Sequence, residues 1–153
     1  MKNISKHITY AEAIYSDSAK RKGIANIPNA DELKAMELLA NKVFEPLREF
    51  INKPIKISSF FRSKVVNSAI GGSTSSQHCK GEAIDLDDTY GGFTNAEMFH
   101  YIKDNLEFDQ LIWEYGNNVN PDWVHVSYSK NRSRKQVLKV VRSNGQPKYL
   151  PYA

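Results

Sequence analysis

The apolar residues of this chain recur at two different periods, and the order of those periods constrains the fold more than any other feature. Leu33, Met36, Leu39, Val43, Phe44, Leu47 and Ile51 are spaced at three and four residues, which sets them along one side of a helix. Beyond residue 109 the signal changes: Gln110–Tyr115, Trp123–Ser129 and Gln136–Arg142 read as strands. Helical patterns lead and strand patterns fill the second half, which predicts the α+β class, with N-terminal helices packed on a mainly antiparallel sheet. The 153 residues suffice for one core and are too few for two ordinary ones. A single domain over residues 1–153 is therefore expected, divided into a helical part (1–52), a central part (53–129) and a basic C-terminal strand and tail (130–153). With 41% hydrophobic and 25% charged residues, disordered, collagen-like and disulfide-scaffold chains are excluded.

Local signals refine this outline. Thr9 with Glu12 reads as a capping box opening a first helix that Gly23 closes. Asn29 with Glu32 opens the longer one, within which Pro46 should produce a kink or split off the last turn. Pro54 to Ser58 alternates as a strand, a short helix follows near Ser63 to Ala69, and Gly71 to Ser76 is a loop. Glu82 to Asp87 alternates again, with Ile84 and Leu86 on one face and Ala83, Asp85 and Asp87 on the other. Thr94 with Glu97 caps a helix running to about Leu106.

No run approaches 18 apolar residues, so no transmembrane segment is expected. Neither an apolar stretch nor a small-residue cleavage site follows Met1 to His7, which predicts synthesis in the cytoplasm without a secretory signal. The one cysteine, Cys79, forms no internal disulfide. Net charge is +4, yet Ser129 to Ala153 holds seven Lys or Arg and no Asp or Glu. That end reads either as a lysine-guarded edge strand with a solvated tail or as a surface for a polyanion. No base-reading motif accompanies it, and no specific nucleic-acid partner is expected.

Chemistry concentrates in Ser76-Gln77-His78-Cys79-Lys80-Gly81-Glu82-Ala83-Ile84-Asp85. An imidazole at the end of a glycine-rich loop, a glycine turn and a carboxylate on the next strand can converge on one point. Trp123-Val124-His125-Val126-Ser127 adds a second histidine in mid-strand, its flanking valines turned to the opposite face. Two histidines and one carboxylate match a catalytic zinc site, with a facial-triad iron site as the chemical alternative. One cysteine is too few for the usual closed structural zinc site. His7 and His100 read as satisfied polar groups, and Asp87 and Asp88 as turn or cap residues. Cys79 would point away from the ligands as a small thiol, and Trp113, Tyr115, Trp123 and Tyr128 read as core and cleft wall.

The S-x-H-x-x-G-x-A-x-D run from Ser76 to Asp85, followed by W-x-H at Trp123 to His125, resembles the zinc D,D-carboxypeptidase family. That family has a hedgehog/DD-peptidase-like fold and includes VanY-type enzymes, D-Ala-D-Ala dipeptidases and phage endolysins that cut the L-alanyl-D-glutamate bond. Ile57 to Ser63, Asn67 and Gly71 to Ser73 are similar to a further family segment, so the likeness runs from about Leu47 to Tyr128. The resemblance implies one zinc ion bound by His78, Asp85 and His125, Arg62 as the substrate-polarising arginine, Ser76 in substrate binding, and an acid/base three residues before the last ligand, at Asp122. Strict alternation would turn Asp122 away from His125, but Pro121 implies that the strand has not begun there, so a turn could bring the carboxylate round. Glu114 is the other candidate base. The expected protein is a monomeric zinc metallopeptidase hydrolysing peptidoglycan stem peptides, either as a D-Ala-D-Ala carboxypeptidase or as an L-alanyl-D-glutamate endopeptidase, and reaching the cell wall with a phage holin's help. The alternative from a different class is a non-catalytic zinc-containing wall-binding or phage-assembly module of the same fold.

Overall fold

Helix starts follow the cap residues. In the computed structural model, which describes residues 2–153, Thr9 caps α1 (Tyr10–Ile14) with both bonds of a capping box, and Asn29 does the same for α3 (Ala30–Leu39). The helix anticipated from Thr9 to Gly23 is two. Ser16 accepts from the Ala19 N–H and opens α2 (Asp17–Lys22), which Gly23 closes. A hydroxyl that caps a new helix ends the previous one, and Ser16 was the overlooked signal.

Pro46 acts through the turn ahead of it. α3 runs into a π-helical segment, Ala40–Phe44, and α4 (Glu45–Ile51) restarts with Pro46 in its first turn, where a missing N–H costs little. The stripe survives this change of pitch: Met36, Leu39, Val43, Phe44, Leu47 and Ile51 are all buried in one core. His7 sits against the same helix, its Nδ1 2.6 Å from Glu45 Oε1.

The sheet comprises β1 (Lys56–Ser59), β2 (Ala83–Asp87), β3 (Gln110–Glu114), β4 (Trp123–Ser127), β5 (Gln136–Ser143) and β6 (Gln146–Pro151), in the spatial order β1-β2-β4-β3-β5-β6. Every neighbouring pair is antiparallel except β3 with β5. Between the strands lie α5 (Lys64–Ala69), capped by Ser63, and α6 (Asn95–Asn105), capped by Thr94. Alternation then divides the labour of the two faces. Ile84, Leu86, Leu111, Trp113, Val124 and Val126 turn into the core with Phe44, Met98 and Phe99 from the helices. The other face carries Asp85, His125, Ile112 and Glu114 beneath an open cavity.

The basic C-terminal segment is ordered as a hairpin rather than as one strand and a tail. Asn144 and Gly145, at φ 52° and 76°, form the two-residue turn between β5 and β6, whose paired strands run from Ser143↔Gln146 back to Leu138↔Pro151. Asn-Gly is the pair that a type I′ hairpin turn favours, so the sequence carried the signal for this sixth strand. No helix is long and apolar enough to cross a membrane.

Candidate active site

Asp85 and His125 face each other directly across the β2–β4 ladder. Opposed residues share a face of the sheet, and Asp85 Oδ1 lies 2.9 Å from His125 Nδ1. His78 approaches from the loop side, on a 3₁₀ turn (Gln77–Lys80). Ser76 opens that turn by accepting from the His78 N–H at 3.3 Å. Gly81 closes it at φ +72°, where an added Cβ would stand 2.5 Å from the Glu32 carbonyl oxygen and 2.7 Å from Met36 Cγ. Only a residue without a Cβ lets the ligand-bearing turn settle this close on α3.

The His78 ring is oriented by its second nitrogen. Nδ1 stands 2.7 Å from the Phe60 carbonyl oxygen, a partner that can only accept, so Nδ1 carries the proton and donates it. Nε2 is then the ring nitrogen that faces Asp85 Oδ2, 3.3 Å away. Metal-ligating histidines ordinarily have such an outer hydrogen bond. One ligand atom from each of His78, Asp85 and His125 lies within 4.8 Å of the others. Burial works to raise the Asp85 carboxyl, but the two imidazoles outweigh it and hold the group well below the usual carboxylate range. Two imidazoles and an ionised carboxylate at the wall of a cavity of about 640 Å³ suit a divalent ion, and three protein donors are the number that catalytic zinc sites use.

Around this cluster the cavity is lined by Arg62, Ser76, Glu114, Tyr115 and Trp123. Arg62 Nη2 donates to Ser76 Oγ at 3.3 Å, while its Nε is buried with no hydrogen-bond partner. Glu114 ends β3 opposite Trp123, on the same face as Ile112, which is itself paired with His125. Its side chain is only 8% exposed. Burial pushes the Glu114 carboxyl up to about 7, against the pull of His125 and with the added push of Asp85.

Asp122 is elsewhere. The turn at Pro121 does not bring its carboxylate to the cavity: Asp122 is exposed and outside the lining. Its N–H donates to the Glu114 carbonyl at 2.8 Å and its own carbonyl accepts from Asn95 Nδ2 at 3.1 Å, so backbone bonds fix it just ahead of β4. The structure thus brings together His78, Asp85, His125, Arg62 and Ser76, adds Glu114, and leaves Asp122 out. Asp87 and Asp88 bind Asn95 at the start of α6, Cys79 is buried, and His100 packs beside Trp113 and Tyr152. Leu138, Arg142 and Tyr149, from the C-terminal hairpin, also line the cavity and were not singled out from the sequence.

An α+β scaffold presenting a His/Asp/His set beside a buried carboxyl defines a metallopeptidase-type centre. The family model for peptidase M15 matches residues 6–127, and the chain belongs to this family of zinc metallopeptidases, which includes VanY-type D-Ala-D-Ala carboxypeptidases. A search of curated proteins finds no match.

Proposed function

We propose that the protein is a zinc peptidase that hydrolyses the stem peptides of peptidoglycan, with His78, Asp85 and His125 holding the ion and Glu114, rather than Asp122, acting as general base and acid. The observation that carries this reading is the placement of Glu114: a nearly buried carboxyl lining the cavity, on the sheet face that bears the His/Asp/His set. The substrate class rests on family membership and on the Ser76–Asp85 and Trp123–His125 motifs.

Zinc, when bound, supplies a Lewis acid that polarises the amide carbonyl and acidifies water. Glu114 takes the proton of the attacking water at its carboxylate and returns it to the leaving amine. Arg62 contributes positive charge where the tetrahedral oxyanion develops, and a substrate oxygen would satisfy its unpartnered Nε. Ser76 holds the guanidinium in place and caps the His78 turn with the same hydroxyl. The cavity continues past the metal set on both sides, to Ser73 and Ser75 on one and to β5 and β6 on the other. That extent favours internal cleavage, of the L-alanyl-D-glutamate type, over removal of a terminal D-alanine.

Mass spectrometry of fragments released from purified peptidoglycan tests both parts. A new N-terminal D-glutamate is expected with the zinc-loaded protein. Release of D-alanine alone would instead assign a carboxypeptidase, and no release from walls of several stem-peptide types would reject the peptidase reading.

A further inference from the structure

The matched family segment ends at residue 127, whereas the cavity does not. Its far wall is the β5–β6 hairpin. β5 pairs with β3 so that Leu138 lies beside Ile112 and Val140 beside Glu114, and β6 adds Tyr149 opposite Val140. The sheet face that bears the metal set therefore continues sideways for two more strands. At about 4.8 Å per strand, β5 lies about 10 Å from β4, and β6 one spacing further.

This extension is chemically one-sided. Ser129 to Ala153 carries seven basic residues and no acidic one. Among them Arg142 reaches the cavity, and its guanidinium lies over the Tyr115 ring, 4.6 Å from the centroid. Tyr115 in turn stands 5.5 Å from Trp123, and it is held at φ +56°, a conformation that residues with a Cβ seldom adopt. Arg142 is exposed, and its guanidinium has no ion pair or hydrogen bond among the described residues. Asp109, the buried carboxylate of this region, is already taken by Arg132 and Arg134. A guanidinium stacked on an aromatic ring has its plane fixed while its N–H edge stays free, which is the arrangement that receives a carboxylate in bidentate fashion.

We infer that the β5–β6 hairpin is a substrate-recognition wing in which Arg142, positioned by Tyr115, binds a free carboxylate on an extended acidic peptide, about two to four residues from the bond that is cut. The inference rests on the peptidase reading and adds the requirement that the substrate be anionic away from the scissile bond. Arg142 is a specificity residue here and takes no part in proton transfer.

Equilibrium binding tests it apart from turnover. The zinc-loaded Glu114→Gln protein is titrated calorimetrically with a stem pentapeptide bearing free carboxylates and with the same peptide fully amidated. The free peptide is expected to bind at least tenfold more tightly. Arg142→Met should reduce that ratio to below about threefold, and Arg142→Lys should keep part of it, which a merely structural role for the side chain would not do. Circular dichroism melts establish that each variant is folded. A ratio unchanged in Arg142→Met, equal affinity for the two peptides, or no binding of either would overturn the proposal. So would inorganic polyphosphate binding more tightly than the peptide and losing that affinity in the same variant, since the hairpin would then be a polyanion surface. Failure of the peptidase reading shows separately, as wild-type protein that releases nothing from peptidoglycan while the binding ratio stands.

Discussion

Glu114 and Asp122 are linked by one backbone hydrogen bond, yet Glu114 lines the cavity and Asp122 is exposed outside it, and that difference divides their expected effects. Glu114→Gln should lower kcat by about 10²–10⁴ while the protein still binds one zinc ion, and Asp122→Ala should stay within about threefold of wild type. Steady-state kinetics together with metal analysis check both. The same carboxyl gives a pH signature in the metal-free protein. Native Glu114 titrates near 7 and the unfolded residue near 4.5, so between these values the native state binds more protons than the unfolded one. Stability is expected to fall as pH rises through that window, by about 3 kcal/mol in all, and urea melts of chelator-treated Glu114→Gln should lack this component. The three residues proposed as ligands were legible because each has a fixed relation to a turn or a strand: His78 before Gly81, Asp85 and His125 each between apolar neighbours. The proposed base was harder to read, because the position of Glu114 depends on how β3 and β4 pair. Parity along β4 alone turns Asp122 away from His125, but only the β3–β4 register brings Glu114 towards it.

At the level of elements, the 3₁₀ turn carrying His78 is tied to the C-terminal segment through one buried side chain. Asp109, 0% exposed, accepts from Arg134 Nε at 2.8 Å, Arg134 Nη2 at 2.9 Å and Gln77 Nε2 at 3.1 Å, and pairs with Arg132. The Arg134 hydrogen bonds hold its carboxyl down at about 2 against the opposing effect of burial. Its contribution is therefore complete above the ordinary aspartate range and is lost as pH falls from about 3.8 towards 2. Asp109→Asn is expected to cost about 2 kcal/mol at pH 7 by denaturant melts, because the buried charged acceptor of these hydrogen bonds is lost while the part-exposed guanidinium groups stay solvated. Element types were largely readable from caps and periods, and errors fell where one local signal competed with another. Ser16 divided a predicted helix, and Asn144-Gly145 folded a supposed tail into a strand. Asp109 itself left no trace in the pattern, since its partners lie 25 and 32 residues away in sequence.

For the molecule as a whole, a metal ion that binds only the native arrangement adds stability by mass action. Free zinc at a hundred times its Kd should contribute about 2.7 kcal/mol, raising Tm on addition and lowering it on chelation, and His125→Ala should be insensitive to either. The order β1-β2-β4-β3-β5-β6 has a further consequence for the ends of the sheet. β6 is an outer strand that carries Pro147, Lys148 and Pro151, residues that discourage pairing with another chain. β3, two places inward, has no such protection: Leu111, Ile112 and Trp113 are all buried. A polypeptide cut back after residue 129 would turn β3 into an edge and offer its unpaired amides to a second molecule. It is expected to sediment as aggregate where the full chain stays dispersed, so the hairpin also serves as the cap that keeps the sheet from growing.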